Sequence, residues 1–250
     1  MGRGGMLSMN VWGARIRPHS LDRALVAWLL NVGLMARAER QLFEKTVESG
    51  QVVVDVGANQ GVFTLLFSRL LGPDGRVFAL EPSPALFKAL DGNCGINAAH
   101  NVTRLQIAAG ATRSQGSLHC SRFNGGDNRL SSSRTGPSVV VEIVPLDEIL
   151  PIEQVDLVKI DVQGYELNVA KGMQAIVERS PAIKIFFEFW PVGLEHAGSA
   201  PVELLEFFMN RRFSLFELSR GGLRRLDGDD IVRSRNVPAW SWRNLLAVRE

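Results

Sequence analysis

Val52-Val53-Val54-Asp55-Val56-Gly57-Ala58-Asn59-Gln60-Gly61 is the stretch that decides the fold. Its β-branched run reads as a short strand buried on both faces of a sheet, where apolar side chains are needed on each side. Two glycines and an asparagine then break the strand and open a helix over Gly61–Leu71. Gly57 reaches backbone angles closed to other residues and removes the Cβ that would bar a ligand from the turn. Asn59 is placed to cap the helix by accepting from its free amides. A strand that turns into a helix this way lies at the carboxyl edge of an open α/β sheet, where such sheets bind ligands.

Working outward, strand and helix alternate. Strand Gln51–Val56 and helix Gly61–Leu71 lead through a Gly-Pro-Asp-Gly turn at 72–75 to strand Arg76–Leu80, helix Pro84–Asn97 and strand Val102–Ala108. This order predicts a parallel sheet with right-handed crossovers. From Gly110 to Glu142 the pattern loosens into two short strands, Gly116–Ser121 and Val139–Val144, around a Gly/Ser/Asn-rich loop. Strand Asp156–Ile160, helix Glu166–Val169, strand Ile183–Phe189 and a helix near Val202–Asn210 resume the alternation. Strands near Phe213–Leu218 and Asn244–Val248 close it, with Gly221-Gly222 suited to a C-terminal hairpin.

Upstream, Ser20 starts a helix whose Leu25, Trp28, Leu29 and Val32 share one face, and a second helix spans Ala36–Ser49. The expected organisation is a flexible segment over 1–19, a helical extension over 20–50 and one catalytic domain over 51–250. A chain of 250 residues, 46% of them hydrophobic, can close one sizeable core. Its net charge of +2 gives no field that would gather nucleic acid nonspecifically. Cys94 and Cys120 make neither a disulfide framework nor a metal cluster, which fits a reducing, cytoplasmic setting. Met1–Met6 has no apolar run for a secretory signal. Leu25–Met35 is shorter than the roughly 20 residues that span a bilayer.

Two cofactors compete for the turn. A dinucleotide site wants Gly-x-Gly-x-x-Gly so that pyrophosphate can settle on the helix N-terminus. After Gly57 the matching positions hold Asn59 and Val62 or Phe63, and the anionic Asp55 ends the strand. A carboxylate there suits a ligand carrying an ammonium and a sulfonium, S-adenosylmethionine, better than one carrying phosphates. Glu81 ends the second strand and is placed to accept from both ribose hydroxyls, each charge-assisted bond contributing about 1.5–3 kcal/mol. The expected cofactor contacts are therefore Asp55, Gly57, Asn59, Gly61 and Glu81, with Ser83, Ile107 and Ala108 as candidates around the adenine.

With those motifs in order, the chain resembles a known family. Val54-Asp55-Val56-Gly57-Ala58-Asn59-x-Gly61, Glu81-Pro82, the block Lys159-Ile160-Asp161-Val162-Gln163-Gly164-Tyr165-Glu166 and Phe187-Glu188-Phe189 look like the FkbM methyltransferases. The likeness runs from about Val47 to Leu245-Leu246-Ala247-Val248. It implies a Rossmann-like class I methyltransferase with a mostly parallel seven-stranded sheet, an antiparallel C-terminal hairpin and an N-terminal helical extension. It also implies O-methylation of hydroxyls on natural products, sugars or lipids. Members usually carry Glu where Gln163 stands, so a role that needs a charge at 163 does not carry over.

Read from the residues, Asp161 lies at the carboxyl end of the fourth strand, where a donor methyl would meet an acceptor. Asp161, Glu166 and Glu188 are the candidate catalytic acids, and Lys159 shares a strand face with Asp161 and can pair with it. Three acids can also hold Mg²⁺, but strand-edge carboxylates are more often solvated or paired and no histidine joins them, so no metal is assigned. Trp190 either walls the acceptor pocket or packs, and His196 in the following loop reads as a surface residue before a base. The expected partner is a small-molecule, glycan or lipid acceptor, with no nucleic acid. Near-neutral charge and the absence of an Asn/Asp-Pro-Pro-aromatic run argue against flipped-base chemistry. A noncatalytic S-adenosylmethionine-binding scaffold and a nicotinamide oxidoreductase stay open as alternatives.

Overall fold

The computed structural model describes residues 8–19, 36–120, 128–130, 137–150, 154–219, 221–233 and 242–249. The helix expected from Ser20 to Val32 lies outside them. The chain runs β1 (Met9–Val11), β2 (Ala14–Ile16), α1 (Arg37–Thr46), β3 (Val52–Val56), α2 (Val62–Leu71), β4 (Arg76–Leu80), α3 (Pro84–Ile96) and β5 (Val102–Leu105). An inserted stretch follows with β6 (Ala108–Ala109), β7 (Ser114–His119), β8 (Arg129–Leu130), β9 (Ser138–Val144) and α4 (Leu146–Ile149). Next come β10 (Leu157–Ile160), α5 (Glu166–Lys171), α6 (Gln174–Arg179), β11 (Lys184–Phe189), α7 (Pro191–His196) and α8 (Pro201–Met209). The chain then adds β12 (Phe213–Ser219), β13 (Gly222–Arg225), α9 (Gly228–Arg233) and β14 (Arg243–Arg249).

The main sheet has eight strands in the order β13-β12-β14-β11-β10-β3-β4-β5. The five from β11 to β5 are parallel, while β14, β12 and β13 are added antiparallel. This is the expected Rossmann-like architecture with one more edge strand, β13, which pairs with β12 across the Gly221-Gly222 turn. The order reverses at β3, so the carboxyl ends of β3, β4, β10 and β11 open on one crevice, the site such sheets use.

Side-chain alternation along β3 feeds two cores. Val54 and Val56 join Val158, Ile160, Phe187 and the helices α5, α6 and α8 on one face. Val53 joins Val77, Ala79, Leu157 and Phe186 beneath α1, α2 and α3 on the other. On that second face Phe43 stands edge-on to Phe63, Phe67 and Phe186 at 4.8–5.6 Å, a packing that adds to the area buried.

Two expectations change. The third strand does not continue to Ala108: its partner β4 stops at Leu80, opposite Leu105, and leaves no ladder to extend. Ala108 and Ala109 pair instead with Ile143 and Val144 in a second, four-stranded sheet of order β6-β9-β7-β8. The start of the chain also departs from a flexible segment, because residues 9–16 form a hairpin seated on α2 and α3 with Ile16 fully buried. Side-chain amides hold its trailing strand as a ladder would. Arg15 N–H donates to Asn97 Oδ1 at 2.7 Å, Arg17 N–H to Asn93 Oδ1 at 2.8 Å and His19 N–H to Gln60 Oε1 at 2.6 Å.

Candidate active site

At the end of β3 the backbone turns at Gly57 with φ +80. A Cβ there would overlap the carbonyl oxygen of Asp161, so glycine is demanded by the approach of β10 as well as by the backbone angle. The N–H groups of Gly57 and Ala58 both reach Leu80 O at 3.0 Å and tie the turn to β4. Asn59 holds φ +52 and is not the helix cap expected of it. Gly61, with φ +90, occupies that position, and a Cβ on it would press on Leu90. Asn59 instead donates its N–H to Glu81 Oε2 at 2.9 Å.

Glu81 is thereby fixed at both oxygens, since Oε1 accepts from Ser83 N–H at 2.9 Å. Only 5% of it is exposed, and burial, partly offset by these two N–H donors, pushes its carboxyl up to about 7. A buried carboxylate with lone pairs left over is completed by a pair of hydroxyl donors, which is what an adenosyl ribose offers. The residues fit that group. Ser83 is buried beside it without capping α3 through its side chain. Ala108 sits in β6 of the second sheet, and Cys120, at the end of β7, feels the Glu81 charge, so the second sheet adjoins this end of the crevice.

Asp55 is placed differently from its expected role. It is 0% exposed, with Oδ1 3.1 Å from Lys159 Nζ and Oδ2 accepting from Thr64 Oγ1 at 2.6 Å. Its charge is buried and balanced there by Lys159, while Glu81 ends the neighbouring strand with each oxygen held by a backbone N–H. The register pairs Asp55 with Lys159 across β3 and β10, which is why the two side chains meet. Burial of Lys159 is outweighed by Asp55 and Asp161, whose charges keep its ammonium above the ordinary range.

From Lys159 the network continues outward. Lys159 Nζ lies 3.6 Å from Asp161 Oδ2, whose side chain is 41% exposed at the mouth. Gln163 then bridges two strands: its Nε2 donates to Asp161 Oδ1 at 3.1 Å and to Glu188 Oε2 at 2.9 Å. With both acids ionised, the reverse orientation of the amide would set its oxygen against two carboxylates. Glu188 is raised well above the usual carboxylate range by burial and then by Asp161 and Glu166, with Lys159 and Arg129 pulling it back.

Glu166 belongs to the frame of the mouth. No part of it is exposed, and Oε1 accepts from Val162 N–H at 3.2 Å and Gly164 N–H at 3.1 Å, closing the turn that carries Gln163. In this conformation its Oε1 acts as a clamp on that turn. Burial drives its carboxyl to about 7, and Oε2 has no partner among the described residues.

Three neighbours were not legible beforehand. Glu39 on α1 accepts from Asn244 Nδ2 at 2.7 Å, and burial with a contribution from Asp161 raises it, which brings a further carboxyl to the same field. Arg129 of β8 stacks on Trp190 at 4.2 Å. Gly193 lies beneath that ring, where a Cβ would strike it, and Gly164 in turn packs on the Gly193 backbone. Trp190 is therefore locked in place by its neighbours. His196 is exposed in the last turn of α7. Among the described residues no group of three His, Cys, Asp or Glu is arranged to hold a metal, and no helix is long and apolar enough to cross a membrane.

The chain is similar to known proteins in sequence and in fold. The hexuronic acid methyltransferase AglP of Haloferax volcanii is 29% identical over 136 residues, 53% of this chain and 54% of that protein. The 31-O-demethyl-FK506 methyltransferase FkbM of Streptomyces tacrolimicus is 31% identical over 157 residues, 50% of this chain and 60% of that protein. The chain thus spans less than two thirds of these curated relatives. Among solved structures, the O-methyltransferase from Bacillus cereus in complex with SAH superposes with a TM-score of 0.50 at 15% identity, covering 90% of this chain and 88% of that one, a likeness of fold. The family model for the methyltransferase FkbM domain matches residues 55–215, and the chain belongs to that family.

Proposed function

We propose that this protein is an S-adenosylmethionine-dependent methyltransferase acting on a hydroxyl of a small-molecule, sugar or lipid-linked acceptor. One observation carries the reading: Gln163 ties Asp161 to Glu188 at the same sheet edge where Asn59 and Ser83 hold Glu81. A site for a ribose and a pair of acids for a hydroxyl then share one crevice. Glu81 and the turn at Gly57–Gly61 would hold the cofactor, which supplies an electrophilic methyl group when bound. The names of the relatives, a demethyl-FK506 methyltransferase and a hexuronic acid methyltransferase, support acceptors of the polyketide and sugar classes.

Asp161, at the open mouth and next to Lys159, orients the acceptor hydroxyl. Glu188 takes its proton, because a carboxyl raised above the ordinary range is a better match to a weakly acidic hydroxyl than a free one. Such a base contributes about 10²–10⁴-fold, while holding the reactants in line contributes up to about 7–11 kcal/mol, so positioning is the larger effect. Trp190 excludes water from one side.

The test is calorimetry with S-adenosylhomocysteine, followed by incubation of the full chain with methyl-labelled S-adenosylmethionine and a panel of polyketide alcohols and uronic acids. Binding in the first and an ether-linked label in the second are expected. Silence toward the adenosyl ligand alongside tight binding of NAD would overturn the reading. Asp161→Asn is expected to lower transfer, and unchanged turnover and acceptor affinity would remove Asp161 from its role.

A further inference from the structure

The amide of Gln163 is a neutral group set between two acids of the mouth, and its backbone is unusual. Its φ of +56 lies in the left-handed region, followed by Gly164 at +106. A long unbranched side chain there carries a backbone cost that asparagine or glycine would reduce. Such a conformation persists when the surroundings over-determine it. What holds it here is the Glu166 clamp on Val162 and Gly164 together with the pair of bonds from Nε2 to Asp161 and Glu188, which joins the ends of β10 and β11.

We propose that Gln163 is a positioning residue for proton transfer: one amide nitrogen gives a hydrogen to each of two carboxylates, aims both at the acceptor and sets the pH at which Glu188 becomes a competent base. The assignment rests on the function proposed above. The groups around Glu188 are Asp161 and Glu166, which disfavour its charge, and Lys159 and Arg129, which favour it. On the other side of Asp161 stand Glu39, which the Asp161 charge helps to raise, and Lys159, 3.6 Å from Asp161 Oδ2. Arg129 lies on β8 and Lys159 on β10, and Gln163, between β10 and β11, donates to both acids from one nitrogen. Donors to the ionised form lower a carboxyl pKa, so their removal must raise it.

The experiment uses the full chain without ligand. Gln163→Gly and Gln163→Asn are labelled with carbon-13 at the carboxyls, and the Glu188 signal, assigned with Glu188→Gln, is followed against pH by NMR. Both variants are expected to move the Glu188 midpoint upward by about one pH unit, the scale of one lost charge-assisted bond. Their melting temperatures should stay level or rise, because the left-handed backbone is relieved. A residue that merely held the fold together would do the opposite: a lower melting temperature and an unmoved midpoint overturn the proposal, as does an unmoved midpoint alone. With the acceptor labelled in the panel above, the acidic limb of kcat/KM should shift by the same amount, giving about tenfold slower transfer below it, with S-adenosylhomocysteine affinity unchanged. If the unmodified chain binds no S-adenosylhomocysteine, the methyltransferase reading fails, and the NMR titration still decides whether Gln163 tunes Glu188.

Discussion

Replacing Glu166 with glutamine removes a buried charge and leaves its hydrogen bonds intact. Glutamine is the neutral isostere of the protonated acid, and its carbonyl can still accept from Val162 N–H and Gly164 N–H. The native carboxyl is raised from 4.5 to about 7, chiefly by burial. Because the folded value lies above the unfolded one, the stability tied to Glu166 is fully present below 4.5 and is lost as pH rises through about 7. At about 1.4 kcal/mol per pH unit the loss approaches roughly 3 kcal/mol at pH 8.5. Glu166→Gln should escape it. Thermal unfolding followed by circular dichroism is expected to find the two proteins similar near pH 4.5. At pH 8.5 the variant should melt about 6–12 °C higher, at about 2–4 °C per kcal/mol for a chain of this size. Glu81 also rises to about 7, but it is common to both proteins and cancels in the difference. Parallel stability curves at every pH, or a variant that is weaker at pH 8.5, would show that Glu166 is not a strained buried charge.

Other expectations follow from the same geometry. Glu81 accepts a ribose best when ionised, so S-adenosylhomocysteine affinity should fall by up to about tenfold per pH unit below about 7, and Glu81→Gln should weaken binding at pH 8 and flatten that dependence; calorimetry across pH 5.5–8.5 decides. Lys159→Met strands the fully buried Asp55 with Thr64 alone and should cost about 3–5 kcal/mol in urea unfolding, most of it recovered when Asp55→Asn is added. Gly57→Ala drives a methyl into the Asp161 carbonyl at φ +80, and a loss of at least about 2 kcal/mol together with weaker S-adenosylhomocysteine binding is expected from the same two measurements.

The sheet was legible because buried parallel strands leave an unambiguous mark. Val52–Val56 and the apolar run ending at Phe189 are apolar enough to be read without their neighbours. Lys159 and Asp161 could be paired by strand alternation alone. The contact of Lys159 with Asp55 could not, since it depends on register between strands more than a hundred residues apart. The same limit applies to Asp55, whose strand-end position points to the ligand edge while the fold encloses it beneath α2. Glu39 and Arg129 lie on a surface helix and in a stretch that reads as loop, and nothing in their local sequence marks them. Gln163 stood out only as a departure from the FkbM pattern, and its role became visible once Glu188 was seen across from it.

The hairpin near the start of the chain has a consequence for the turn at Asn59. Gln60 accepts from His19 N–H, and its own carbonyl accepts from Asn93 Nδ2 at 2.8 Å, so the residue next to Asn59 is gripped on both sides by remote parts of the chain. The loop that presents Asn59 to Glu81 is thus braced like an arch between two abutments. Its curvature is decided as much by residues 15–19 and by the middle of α3 as by the glycines within it.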